Sequence, residues 1–323
     1  MNSNKEYPLR LIVSEVRQRS PEIKSFILKA ADDSLLPVFS AGAHLKVCVR
    51  LEDGRTDERA YSLVNSDNQS GYYEIAVKRE DAGQGGSRYM HGLRAGDQIL
   101  AGTPRNDFAL LDTEHHAVLI AGGIGITPIL SMARILTRNN SSFELHYGAR
   151  EPAMMAYRAE IERLGPQASL YFDQGPAPRT MSLAALLGPH DKSRHVYVCG
   201  PKPLLDAVIA TAAELSWPSS HVHFELFGSS GHQSDRPVEL VLRRSGRVLH
   251  VPASQSLLDA MLEAGLDPLF DCKRGECGVC AQTVLTGTPD HRDYALSEDE
   301  RHNENKICIC VSRATSPRLT LDA

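Results

Sequence analysis

The chain lacks any excess of positive charge. Its 35 Lys and Arg stand against 40 Asp and Glu, a formal net charge of −5, which argues against nucleic acid or an anionic membrane as its main partner. It also lacks a long hydrophobic run: the longest, residues 117–130, is broken by three glycines and a proline and is too short to span a bilayer. Met1-Asn2-Ser3-Asn4-Lys5-Glu6-Tyr7-Pro8 holds no basic segment leading into an apolar core, so no secretory signal is expected. There is no internal repeat and no low-complexity tract. Cysteine is sparse and odd in number, seven in 323 residues, which excludes a disulfide framework and reads as thiols kept reduced in a cytoplasm. The length suggests two or three domains.

Four of those cysteines form a pattern. Asp271-Cys272-Lys273-Arg274-Gly275-Glu276-Cys277-Gly278-Val279-Cys280, with Cys310 thirty positions on, is C-x4-C-x2-C…C, the plant-type [2Fe–2S] spacing. Three ligands on so short a loop require the backbone to curl around the cluster, and Gly275 and Gly278 supply that freedom. A structural zinc site would instead pair two short doublets. In Ile307-Cys308-Ile309-Cys310 the two thiols are two apart and share a strand face, so Cys308 competes with Cys310 for the fourth position.

From residue 9 to about 108 short β-rich runs alternate with turns, as in a small antiparallel barrel. The expected strands are 9–16, 23–29, 44–51, 72–79 and 98–101, with turns at Asp53-Gly54 and Ala95-Gly96-Asp97. Within this stretch, Arg59-Ala60-Tyr61-Ser62-Leu63 on a strand aims a cation and a ring the same way. Gly83-Gln84-Gly85-Gly86-Ser87 precedes a helical 88–93 and offers free N–H groups and a hydroxyl to a phosphate. From residue 117 strand, glycine turn and helix alternate, implying a parallel sheet with helices on both faces. Strands are expected at 118–121, 143–147, 170–172, 196–199 and 222–227, and helices at 129–136, 153–164, 182–187 and 203–215. Gly122-Gly123-Ile124-Gly125-Ile126-Thr127-Pro128 after the first strand suits a dinucleotide pyrophosphate, although Pro128 stands where a third glycine would be. Cys199-Gly200-Pro201 is a second such turn. Residues 228–237, rich in Gly, Ser and polar groups, read as a flexible linker. A hairpin at 238–251, a helix at 256–264 and the cysteine loop then make a small β-grasp domain.

Taken in this order, with Tyr197-Val198-Cys199-Gly200-Pro201, His223-Phe224-Glu225-Leu226-Phe227 and Cys310-Val311-Ser312-Arg313-Ala314, these stretches resemble the phthalate dioxygenase reductase family along the whole chain. Vanillate O-demethylase reductases are close relatives in that family. The resemblance implies an FMN-binding β-barrel domain at 1–110, an NADH-binding α/β domain at 111–227, a linker at 228–237 and a plant-type ferredoxin domain at 238–323. It implies Cys272, Cys277, Cys280 and Cys310 as iron ligands, with Cys308 spare. Arg59, Gly86 and Ser87 would hold the flavin phosphate. Tyr61 and Ser62 would contact the isoalloxazine, with Ser62 at its N5 edge and Phe227 over the ring, and Val77 and Lys78 would also bind the cofactor. Gly122, Gly123, Gly125 and Thr127 would lie under the NADH pyrophosphate, with Cys199 and Gly200 beside the nicotinamide. Ser62, Cys199 and Phe227 are thus the residues expected at the reacting atoms. Asp173 matches the acid that accepts from the adenosine ribose 2′-OH and repels a 2′-phosphate.

The activity so implied is transfer of hydride from NADH to flavin and then of single electrons through the cluster to a Rieske-type oxygenase or O-demethylase. FAD in place of FMN is the alternative cofactor, because Arg-x-Tyr-Ser is shared with FAD reductases. A cluster-based redox sensor is the alternative function. His221 and His223, and likewise His115-His116, read as structural histidines, and Glu298-Asp299-Glu300-Arg301 as a solvated acidic surface.

Overall fold

A computed structural model describes residues 7–66, 71–81, 83, 85–111, 115–174, 179–227 and 235–323. Its first sheet contains β1 (Leu9–Ser20), β2 (Ile23–Ala30), β3 (His44–Arg50), β4 (Thr56–Ser62), β5 (Tyr73–Lys78) and β6 (Gln98–Ala101), with α1 (Gly86–Gly92) between the last two. The order is β4-β3-β6-β1-β2-β5. A bridge between Leu63 and Ile75 joins the two edge strands, so the sheet closes into a barrel and leaves no open edge. Alternate residues, among them Leu11, Val13, Phe26, Leu28, Leu45 and Val47, fill its interior, as the period of two requires.

The second sheet follows the expected alternation. It comprises β7 (His116–Gly122), β8 (Phe143–Ala149), β9 (Ala168–Phe172), β10 (Arg194–Gly200) and β11 (Val222–Leu226). The order is β11-β10-β7-β8-β9, and the pairs β10–β7, β7–β8 and β8–β9 are parallel. The helices are α2 (Ile126–Arg138), α3 (Arg158–Glu162), α4 (Leu183–Leu187) and α5 (Lys202–Glu214). Pro128 sits in the first turn of α2, where its missing N–H has no intrahelical role.

The long helix expected at 153–164 does not form. Residues 152–154 make a 3-10 turn, Tyr157 takes φ 59°, and only Arg158–Glu162 is α-helical. The ring of Tyr157 is buried and its hydroxyl donates to Glu74 Oε1 at 3.0 Å, so a contact with the barrel overrides helical propensity. Barrel and α/β sheet are further joined by Ser131 Oγ to the Asn65 carbonyl at 2.9 Å and Arg134 Nη1 to the Val64 carbonyl at 2.8 Å. Contacts divide the chain accordingly into two compact units, Met1–Glu225 and Leu226–Ala323.

The second unit holds a five-stranded sheet of order β13-β12-β18-β14-β16. Its strands are β12 (Val238–Leu242), β13 (Arg247–Val251), β14 (Ala281–Thr286), β16 (Lys306–Cys308) and β18 (Arg318–Leu321). A small ladder of β15 (Pro289–Asp290) and β17 (Arg313–Ala314), with helices α6 (Leu257–Glu263) and α7 (Glu298–His302), completes it. β12 runs parallel to β18 and antiparallel to β13, a mixed sheet of the β-grasp kind. Residues 298–301 are thus not simply acidic surface. Ser297 and Glu300 form a reciprocal capping box that starts α7.

Of the expected linker, residues 228–234 lie outside the described residues. Its end is not loose, because the Asp235 side chain is only 3% exposed and pairs with Arg292 at 2.5 Å. A charge so placed must be paired. Among the described residues no helix is long and apolar enough to cross a membrane.

Candidate functional site

In the barrel, β3 and β4 set Arg59 opposite Val47 and Ser62 opposite His44. The Arg59 guanidinium pairs with Asp57 and donates to the Glu58 carbonyl at 2.9 Å. Its shaft lies against Gly86, where a Cβ would come within 3.0 Å of Nε and 3.1 Å of Cγ. Gly85, at φ 100°, turns the chain into α1, and the Ser87 hydroxyl accepts from the Glu80 N–H at 3.0 Å. A cation, a hydroxyl and a backbone corner free of side chains therefore adjoin, a donor set that fits a flavin phosphate. Tyr61 packs partly buried on the barrel core, and burial pushes its hydroxyl pKa up. Val77 is buried with its carbonyl 2.8 Å from His91 Nε2, and Lys78 pairs with Glu80 at 2.9 Å.

Ser62 is buried, and its hydroxyl donates to Glu225 Oε2 at 3.3 Å. Glu225 is 1% exposed and lies on β11, 163 positions away in sequence. It is a functional candidate that the sequence reading passed over. Its signal is His223-Phe224-Glu225-Leu226-Phe227, a stretch in which that reading gives a role to Phe227 alone. Phe227 itself falls in the second unit.

The chain leaves β7 toward β8 and β9 and then crosses back to β10, so the switch point of the sheet lies between β7 and β10. Their carboxyl ends are Gly122 and Gly200. A Cβ on Gly122 would stand 2.7 Å from Pro201, one on Gly200 3.1 Å from the Gly122 backbone, and one on Gly125 2.2 Å from the Cys199 carbonyl. Only glycine allows this approach, so Gly122, Gly125, Cys199 and Gly200 form one tight corner. Gly123 differs: its φ is 56° and nothing lies within 4 Å of its would-be Cβ, which leaves its backbone open to a pyrophosphate. Thr127 Oγ1 donates to the Ile124 carbonyl at 3.0 Å and fixes the first turn of α2. Asp173 follows β9, exposed, two strands from β7, roughly 10 Å at ordinary strand spacing. It stands apart from the corner by a distance an extended dinucleotide would cover.

In the second unit, Lys273, Gly275 and Gly278 take φ values of 55°, 76° and 73°, and the loop curls as its glycines predict. The Arg274 N–H points at Cys272 Sγ, 3.3 Å away. The thiols stand in two groups, Cys272 with Cys277 and Cys280 with Cys310 and Cys308. Thiol hydrogen bonds from Cys308 and Cys310 hold the Cys280 pKa down to about 3, and those same contacts with burial push Cys308 and Cys310 up. Two thiols from each group would supply two sulfurs per iron, a donor set that fits a [2Fe–2S] cluster. The expectation that residues 307–310 are all strand is corrected: β16 ends at Cys308, and Cys310 lies in the following turn. Both thiols nevertheless reach Cys280.

The histidines are more gathered than their sequence positions suggest. His195 Nδ1 is 3.0 Å from His223 Nε2, and His190 Nε2 is 3.2 Å from His221 Nδ1. His195 stacks on His221 with ring centres 4.2 Å apart and lies 4.7 Å from His115. Among the described residues no three His, Cys, Asp or Glu side chains are grouped to hold a single metal ion.

Comparison with known proteins matches three families along the chain. Residues 10–109 match the oxidoreductase FAD-binding domain family, 119–209 the oxidoreductase NAD-binding domain family and 240–315 the 2Fe-2S iron-sulfur cluster binding domain family. The chain is 38% identical over 320 residues to tetrachlorobenzoquinone reductase of Sphingobium chlorophenolicum, covering 97% of each. It is 37% identical over 319 residues to a vanillate O-demethylase oxidoreductase of a Pseudomonas species, covering 97% of this chain and 99% of the relative. A solved phthalate dioxygenase reductase, described as modular for electron transfer from pyridine nucleotides to [2Fe-2S], superposes with TM-score 0.78 at 36% identity over 98% of both chains.

Proposed function

Since the chain belongs to the phthalate dioxygenase reductase family, we propose that it takes hydride from NADH onto FMN and delivers single electrons to a Rieske-type oxygenase. It is an oxidoreductase with flavin, nicotinamide and two-iron domains. When bound, the nicotinamide supplies hydride, the flavin divides the electron pair and the [2Fe–2S] centre supplies a one-electron exit. The observation that carries the reading is the set of paired thiols on a glycine-curled loop, in one chain with the glycine corner of β7 and β10.

The protein's part is placement. Ser62, held by Glu225, presents a fixed hydroxyl at the flavin edge, while Arg59, Gly86 and Ser87 seat its phosphate. Tyr61, Val77 and Lys78 line the ring. Gly122, Gly123, Gly125 and Thr127 hold the pyrophosphate, and Cys199 and Gly200 border the nicotinamide. Asp173 accepts from the ribose hydroxyl of NADH. Cys272, Cys277, Cys280 and Cys310 hold the irons. No side chain is needed as a general acid or base. Plant-type clusters lie near −400 mV and Rieske centres from about −150 to +300 mV, so the final transfer is downhill.

Coupled turnover with a panel of purified oxygenases tests this directly. NADH consumption matched to product with a Rieske dioxygenase or O-demethylase supports it. Slow reduction of cytochrome c with no coupled partner would favour a redox sensor instead. Heat-released flavin whose fluorescence is unchanged by phosphodiesterase identifies FMN, and a rise identifies FAD.

A further inference from the structure

Asp293 has no part in the assignments above, yet its side chain is fully buried. Oδ1 accepts from the Ser312 hydroxyl at 3.0 Å, Oδ2 from the Leu296 N–H at 3.0 Å, and the Arg301 guanidinium reaches Oδ2 at 3.4 Å and the Asp293 carbonyl at 2.8 Å. Ser312, itself 0% exposed, lies two residues past Cys310; its hydroxyl also accepts from the Arg292 N–H at 3.0 Å, and its own N–H donates to the Cys308 carbonyl at 3.0 Å. On the other side, a Cβ on Gly275 would stand 3.1 Å from Asp293 Cα and 2.6 Å from Val311, and the Tyr294 N–H donates to the Gly275 carbonyl at 2.9 Å. One buried carboxylate therefore stands between the three-cysteine loop and the turn that carries Cys310.

We propose that Asp293 is a positioning residue for the two-iron cluster, locking the loop of Cys272, Cys277 and Cys280 to the Cys310 turn through Ser312. The inference rests on the ligand assignment made above. A carboxylate suits the post because both oxygens are used: it can only accept, so the Ser312 hydroxyl, which itself accepts from the Arg292 N–H, donates its proton to one oxygen, and the Leu296 N–H donates to the other. An amide at 293 meets only one of these demands and removes a negative charge buried beside the cysteine region.

The test compares full-length wild type, Asp293→Asn and Ser312→Ala, each assayed for iron and sulfide, for release of iron to a chelator, for the g-values of the dithionite-reduced cluster, and for midpoint potential. Both variants should release iron about tenfold faster and show shifted g-values. Only Asp293→Asn, which loses the charge, should also be easier to reduce, by about threefold in the equilibrium, or roughly 30 mV at 59 mV per decade. The double variant should release iron no faster than the worse single variant, because both act through one link. Unchanged g-values and release rates in both variants, even with lowered melting temperatures, would reduce Asp293 to a residue of the fold. If Asp293→Asn does not load, Ser312→Ala decides by the same two readouts. Wild type without iron and sulfide would overturn the ligand assignment itself, which separates that failure from this one.

Discussion

At the scale of single residues, the account turns on which sulfur binds iron. Cys272→Ser, Cys277→Ser, Cys280→Ser and Cys310→Ser should each lose the visible absorption of the cluster, whereas Cys308→Ser should keep it. Iron analysis showing the reverse for 308 and 310 would reassign the fourth ligand. The C-x4-C-x2-C loop was legible in the sequence because its spacing is a local constraint. The fourth ligand was not, since Cys308 and Cys310 both reach Cys280, and only the resemblance, through the Val-Ser-Arg-Ala that follows Cys310, separates them. The role of Glu225 was not legible for a different reason, because its carboxylate meets Ser62, 163 positions away in sequence, only in the folded chain. Asp173 is exposed and tests coenzyme choice: Asp173→Ala should lower kcat/KM for NADH about tenfold, within the ordinary worth of a hydrogen bond to a charged group, and improve the relative use of NADPH. An unchanged ratio would leave it a turn residue.

Strands and turns came through at the scale of elements because period-two burial and glycine turns are local signals. The helix expected at 153–164 failed where Tyr157 turned to reach Glu74, a demand its neighbours do not announce. Helix α7 was readable and missed, since Ser297 followed three residues later by Glu300 is a capping box. The histidines of β10 and β11 gather through tertiary pairing, and this has a pH consequence. Burial, then the charges of neighbouring His221, His223, His115 and His190, hold His195 down at about 4, against about 6.5 in an unfolded chain. Between those values the unfolded chain takes a proton that the folded protein refuses. Stability should therefore be intact above pH 6.5, fall as pH drops toward 4 and level off below it. Calorimetry on wild type and His195→Asn should show the steeper decline in wild type; parallel curves would mean the cluster does not titrate as described.

For the molecule as a whole, a flavin domain, a nicotinamide domain and a two-iron domain are written into one chain. The glycine corner and the Ser62–Glu225 pair lie in residues 1–225, and Cys272, Cys277, Cys280, Cys308 and Cys310 lie in residues 226–323. The sequence order of barrel, α/β sheet and β-grasp was readable from the changes in hydrophobic period. What it could not show is that the barrel and the α/β sheet form one unit, which depends on Arg134, Ser131 and Tyr157 reaching across. The central claim is that electrons enter at the flavin and leave through the cluster. Anaerobic mixing with NADH, followed by flavin absorbance in a stopped-flow instrument and by freeze-quench EPR, tests it. The account predicts flavin bleaching first, then a reduced [2Fe–2S] signal approaching one spin per chain, with Cys277→Ser bleaching normally but giving no cluster signal and no oxygenase turnover. Full oxygenase turnover by Cys277→Ser, with its cluster gone, would contradict it.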